Sequence, residues 1–374
     1  MDHKTTHTTT LRRRCGALLA LGLVTAMATA CGPGEDDGDS RSAPHDIVVN
    51  LGGEVVVLDD LNASPRVVGP RPAGAENADA YRLAGPRQLA SGQIIGIRDG
   101  GVVAIEPSKP GTAVLLGQAG AWFPAADGKR LWAVTEEPAD TACNGLDLPQ
   151  SVVARYTVTR YETSGRPSRT TSKAACGLRP VADTSRGLLA LRTTGDTGGG
   201  GTGVRAVTDL VLLDDRANTA TETVATNASL VATAGNRVIW RDDTCGKGTC
   251  THVYDLDKRK NAPAPSCEGG DTVGVGTLDP SGHWYLSALR TNRLAILDLN
   301  DNTCQEQELD ALPAAGSSDL DETFGIAWSG PHVLLLDQRS GALTAVDASH
   351  HKTDKRTEPL PVGNQAQIWS ASTE

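Results

Sequence analysis

The chain has 374 residues, 39% of them hydrophobic and 21% charged, with a formal net charge of −10. That length can bury a large core, and the acidic balance excludes a nucleic-acid binder, because phosphate contact needs clustered Lys and Arg. Gly 41 and Pro 20 against Trp 6, Tyr 5 and Phe 2 exclude a helix bundle and point to many short strands divided by turns.

Residues 1–30 read as an export signal. Arg12, Arg13 and Arg14 make a basic start, and residues 15–26 form an apolar run that suits a signal and is too short to span a bilayer. Small residues Ala28, Thr29 and Ala30 stand directly before Cys31. This segment resembles the lipobox of bacterial lipoproteins, with Ala28 where that family carries Leu. The resemblance implies cleavage before Cys31, a diacylglyceryl group on its sulfur, and palmitate-type acylation that holds the protein on the extracytoplasmic side of the cell membrane. Two acyl chains anchor stably where one is marginal. Residues 31–44, "CGPGEDDGDSRSAP", are polar and acidic and read as a disordered tether with a coil span of roughly 20 Å.

From residue 45 onward a short strand ending in an acidic residue recurs, at Asp59, Glu106, Glu162, Asp214, Asp255, Asp298 and Asp347, at intervals of about 48 residues. A second apolar strand precedes each from the second copy onward, as in "QIIGI" (93–97), "RVIWR" (237–241) and "HVLLLD" (332–337), and turns such as "RDGG" (98–101) join the pair. Ahead of these lies a small-residue strand such as "GVGTL" or "FGIAW". Units of this size with three or four strands predict an all-β, seven-bladed β-propeller over residues 45–374. The pattern loosely resembles WD-repeat-like and YVTN-like propellers, without their WD dipeptide. The first unit has no inner strand of its own, so the C-terminal "NQAQIWSA" is expected to supply it by pairing with "IVVNL" (47–51).

Cys15 leaves with the signal. Six cysteines then remain besides Cys31, and an even number in an exported chain reads as disulfides. Cys245 and Cys250 flank a Gly-containing hairpin turn and are expected to pair. Cys143 and Cys176 fall in connections placed on one rim and are paired on that ground, which leaves Cys267 with Cys304, although six cysteines allow fifteen connectivities. A zinc reading fails, because no second Cys or His pair stands at ligand spacing.

Candidate chemistry is thin. His283, His332, His350 and His351 are the acid–base candidates, but no nucleophile elbow accompanies them, and they read as exposed turn histidines. "DLNDN" (298–302) has the alternation of a calcium loop but carries Thr303 and Leu309 where Gly and Glu are needed; it reads as a turn between outer strands. "GDTGGGGTG" (195–203) lacks the Lys-Ser/Thr ending of a phosphate loop. "AADGKRLW" (125–132) is similar to one truncated tryptophan-docking repeat of quinoprotein dehydrogenases. The six tryptophans read as blade packing, and the acidic pairs at 35–37, 58–61, 136–137 and 317–322 as solvated turns.

The sequence therefore supports no catalytic residue, metal or cofactor. The expectation is a monomeric, lipid-anchored propeller that serves as a non-catalytic platform for a protein or envelope glycan bound at one rim. The alternative is an extracytoplasmic, carbohydrate-directed enzyme with rim carboxylates as acid and base.

Overall fold

The computed structural model describes residues 44–51, 54–69, 84–89, 92–109, 113–137, 143, 154–162, 169–196, 205–214, 217, 219–245, 250–267, 272–289, 293–308, 324–361 and 367–370. All of them lie within a unit running from Ser42 to Glu374. Cys31 and residues 1–30, expected to be an export signal, are outside the described residues.

The described residues form 28 strands in seven antiparallel four-stranded sheets. Blade 1 holds β1 (His45–Leu51), β2 (Glu54–Asp60) and β3 (Arg66–Gly69). Blade 2 is β4 (Ala84–Gln88), β5 (Ile94–Arg98), β6 (Gly101–Ile105) and β7 (Ala113–Gln118). Blade 3 is β8 (Ala121–Pro124), β9 (Arg130–Glu136), β10 (Tyr156–Glu162) and β11 (Arg169–Lys173). Blade 4 is β12 (Leu178–Thr184), β13 (Gly187–Asp196), β14 (Arg205–Leu213) and β15 (Ala220–Ala225). Blade 5 is β16 (Ala228–Ala234), β17 (Arg237–Asp242), β18 (Thr251–Asp255) and β19 (Lys260–Pro263). Blade 6 is β20 (Thr272–Leu278), β21 (Trp284–Leu289), β22 (Leu294–Asp298) and β23 (Thr303–Gln307). Blade 7 is β24 (Phe324–Ser329), β25 (His332–Asp337), β26 (Leu343–Asp347) and β27 (Thr353–Lys355). The remaining strand, β28 (Gln367–Ser370), lies beside β1 in blade 1, with Val49 opposite Ile368 and Asn50 opposite Gln367.

The burial pattern explains why the middle strands read as unbroken apolar runs. β6, β21 and β22 are buried at every residue, and β25 at all but its last. Side chains alternate across a strand, so both faces of each blade must be covered. Successive residues do go opposite ways. Val333 and Leu335 pack on Leu286, Leu294 and Ile296 of blade 6. Leu334 and Leu336 pack on Ile47, Val49 and Leu58 of blade 1.

The same arrangement repeats at every junction. Val55 and Val57 of blade 1 meet Ile94 and Val103 of blade 2, and Ile95 and Val102 meet Leu131 and Tyr161 of blade 3. Val134 and Val158 meet Leu188 and Val211 of blade 4. Leu189 and Leu210 meet Val238 and Trp240 of blade 5. Ile239 and Val253 meet Tyr285 and Leu297 of blade 6. Each sheet packs on two neighbours and the seventh packs on the first, which makes the body a seven-bladed β-propeller. Polar bonds also cross the junction of blades 7 and 1. Arg356 donates to the carbonyls of Leu61 at 2.7 Å and Ala63 at 2.9 Å, and Asn62 Oδ1 accepts from the amide and hydroxyl of Thr357.

The fourth strands differ in character. They are the outermost of each blade, and β7 and β19 are largely exposed. Between blades 2 and 3, Gly117 on β7 leaves room for the buried Tyr161: a Cβ at 117 would stand 2.0 Å from the Tyr161 hydroxyl oxygen, with the rest of the ring at 3.0 Å or beyond. Gly117→Ala is expected to lower stability by about 1–3 kcal/mol through overpacking. Tyr161→Phe in the same chain should recover most of that loss, as read by denaturant melts of the single and double variants.

Candidate functional site

Three of the recurring acidic residues, Asp255, Asp298 and Asp347, cap turns. Each stands at the end of a blade's third strand, where the chain turns into the fourth. Asp255 accepts from the amides of Asp257 at 3.1 Å and Lys258 at 3.0 Å. Asp298 accepts from those of Asn300 at 2.8 Å and Asp301 at 2.9 Å, and Asp347 from those of Ser349 at 2.8 Å and His350 at 3.2 Å. A side-chain oxygen bonding the backbone two residues on is the Asx turn. The "DLNDN" segment is therefore a turn between β22 and β23.

Across the sheet, the residue at the start of the second strand faces that acid. Arg237 Nη1 lies 2.5 Å from Asp255 Oδ2, His283 Nε2 lies 2.9 Å from Asp298 Oδ1, and His332 Nε2 lies 3.9 Å from Asp347 Oδ2. His350 Nδ1 also reaches Asp347, at 2.9 Å. Burial pushes the Asp347 carboxyl up, but hydrogen bonds from Ser349 and His350 outweigh it and hold the group down at about 2. Burial likewise opposes the ionisation of Asp255, and Lys258 with Arg237 overrides it.

Two expectations need correction. His350 and His351 are exposed turn residues, but His332 is buried, and its Nδ1 has no hydrogen-bond partner. It begins an inner strand whose flanks are covered by blades 6 and 1, so a strand start there is interior. Glu137 was expected in a solvated turn. Its side chain is only 10% exposed, and Oε1 takes Lys173 Nζ at 2.8 Å and Thr157 Oγ1 at 3.0 Å. Those contacts, Lys173 first, hold it below the usual carboxylate range. The acidic residues at 35–37 and 317–322 lie outside the described residues, as does most of the glycine-rich stretch, 197–204.

The two rims are unequal. Strands run antiparallel in order, so second-to-third turns and blade-to-blade connections share one rim. The strand ends that bound the sequence intervals 70–83, 137–155, 197–204, 308–323 and 356–366 lie on that rim. The longest on the other rim is 106–112. Two disulfides pin the long-connection rim. Cys143–Cys176 ties 137–155 to the turn entering blade 4, with Cα atoms 5.4 Å apart, and Cys245–Cys250 closes the turn between β17 and β18, at 5.5 Å. Cys267–Cys304 joins the connection after blade 5 to β23.

Around the first of these bonds sit Glu137, Thr157, Lys173 and Arg155, whose guanidinium points at Cys176 Sγ from 3.4 Å. Tyr156 lies close by, its hydroxyl pushed up by burial and by Glu136. In blade 4, Arg192 donates to Asp209 at 2.8 Å. This is a pre-ordered polar rim, and sequence reading missed it because Glu137, Lys173 and Arg192 share no local motif.

The tryptophans mostly serve the junctions. Trp240, Trp284 and Trp328 are buried, Trp132 Nε1 donates to Asp183 of blade 4, and Trp240 Nε1 to Asn261. The side chain of Trp369 lies outside the described residues. Among the described residues no group of three or more His, Cys, Asp or Glu side chains is placed to hold a metal ion.

No family model and no curated protein matches the chain. Among solved structures it is similar to apo AztD from Citrobacter koseri, at 14% identity over 87% of this chain and 96% of that one, with a TM-score of 0.45. It is similar to an oligogalacturonate lyase in complex with manganese, at 10% identity over 81% of each chain and a TM-score of 0.46. It also resembles a chain of a nidogen/laminin complex, at 11% identity over 87% and 97% and a TM-score of 0.40. The propeller rests on its own strand pairing and packing.

The capping acids make a pH prediction. Asp347 is held below the ordinary value of about 3.9, so its stabilising effect is complete above about pH 4 and is lost as pH falls toward 2. Asp347→Asn should cost about 1 kcal/mol at pH 7. Thermal melts should show that gap narrowing from pH 4 downward.

Proposed function

We propose that this chain is an exported lipoprotein, anchored through Cys31, whose propeller is a non-catalytic binding platform for a protein or envelope glycan. The observation that carries the reading is the inequality of the rims. One rim has only short turns, and Asp255, Asp298 and Asp347 there are engaged in capping. The other is bounded by the long sequence intervals, one of which, 137–155, is tied down by Cys143–Cys176. Function on ring folds is grafted onto such loops rather than implied by the fold. Disulfides fit an oxidising, extracytoplasmic compartment.

The carbohydrate-directed reading needs a carboxyl raised to serve as general acid. Every described Asp or Glu with a displaced value, including Glu137, Asp242 and Asp347, is displaced downward. The platform reading takes β28 as the clasp of the ring, supplied to blade 1 by the far end of the chain.

Two outcomes test it. Cys31→Ala should move the protein from the membrane fraction to the medium, and membrane retention of the variant would remove the anchor. Deleting residues 362–374 should lower the melting temperature sharply, because blade 1 loses its inner strand and Ile368 leaves the core; a truncation that melts like the full chain refutes the clasp.

A further inference from the structure

An outermost strand has an unpaired edge, and proteins ordinarily blunt such edges with charge, proline or shortness. Six of the seven outermost strands here are blunted. β3 "RVVG" has four residues and β27 "TDK" three. β11 "RTTSK" and β15 "ATETVA" carry charge, β19 "KNAP" carries Lys and Pro, and β23 "TCQEQ" carries Glu and a disulfide.

β7, "AVLLGQ", is the exception: six residues, uncharged and apolar. Val114 is 58% exposed and Leu115 60%, the largest exposures of any bulky apolar side chain among the described residues. They sit on opposite faces of the strand. Leu115 is registered with Val103, which packs toward blade 1, and Val114 with Ala104, which packs toward blade 3. No described strand lies beyond β7 in its sheet.

We propose that β7 is a self-association edge: two copies of this chain pair their β7 strands antiparallel about a two-fold axis. Charge selects a second copy as the occupant. The chain carries a net charge of −10, so two bodies repel over most approaches, yet residues 110–126 contain no charged residue. The β7 strand and the residues flanking it in sequence therefore bring no like charges of their own to such a contact. An isologous contact also satisfies itself. The partner's edge is equally apolar, backbone donors meet acceptors along the strand, and Val114 and Leu115 of one copy cover those of the other. The two blade 2 sheets would join into one eight-stranded sheet. The pairing does not depend on the lipid anchor, and it replaces the expectation of a monomer.

Sedimentation velocity of the full chain over about 1 to 100 μM tests this. The expected result is a concentration-dependent monomer–dimer equilibrium. Leu115→Lys and Val114→Lys should each weaken dimerisation by roughly tenfold to a hundredfold, through lost burial and opposed charge. Both side chains are exposed, so an unchanged melting temperature separates loss of pairing from loss of fold. A wild-type chain that stays monomeric over this range overturns the proposal. So does a dimer that survives both lysines. A third refuting result is a monomer whose β7 amides gain hydrogen-exchange protection only on phosphatidylcholine vesicles, which would give the edge to lipid.

Discussion

The structure depends on one constraint: a four-stranded blade has two apolar faces and covers neither by itself. Val333 and Leu335 need blade 6, while Leu334 and Leu336, the residues between them, need blade 1. A linear stack would leave two faces open at its ends. Bending the row until the seventh sheet meets the first removes both. Truncating one of these leucines to Ala would cost about 2–5 kcal/mol, a large part of the stability of an ordinary domain, so the junctions and not the individual sheets set the stability of the whole.

Given that constraint, the polar residues divide into two populations. Asp255, Asp298 and Asp347 face the backbone of their own turns and a cation or histidine across the sheet. Their regular spacing follows the turn they cap in successive blades. Glu137, Lys173 and Arg192 sit at the opposite rim with no such periodicity, next to a disulfide or a long connection. An irregular residue on a regular scaffold is the better marker of function.

The middle strands were legible because burial on both faces demands runs such as "HVLLLD" and "RLAILD", which little else explains. Cys245–Cys250 was legible from its hairpin turn and Cys143–Cys176 from a shared rim, while Cys267–Cys304 followed only as the remaining pair. The outermost strands were not. "RTTSK" and "KNAP" lack apolar content because neither side of an edge strand is fully covered, and they take strand form only from the neighbour they pair with. The polar rim was invisible for a related reason: Glu137 and Lys173 meet across the ends of two strands, and sequence distance says nothing of that. His332 misled because a strand start is usually wet, and here the flanking blades close over it.

Blade 1 draws on both extremities of the polypeptide, and this bears on how the molecule comes into being. During synthesis the amino end emerges first. Ile47, Val49 and Leu58 must then wait, uncovered, until Leu334, Leu336 and Ile368 have been delivered. The greasy flank of the first sheet stays available to every other surface it meets for nearly the whole period of translation. Pairings between such distant segments form slowly, and unsatisfied apolar surface invites aggregation in the interval. The leading sheet is thus the part of the fold whose apolar flank is covered last.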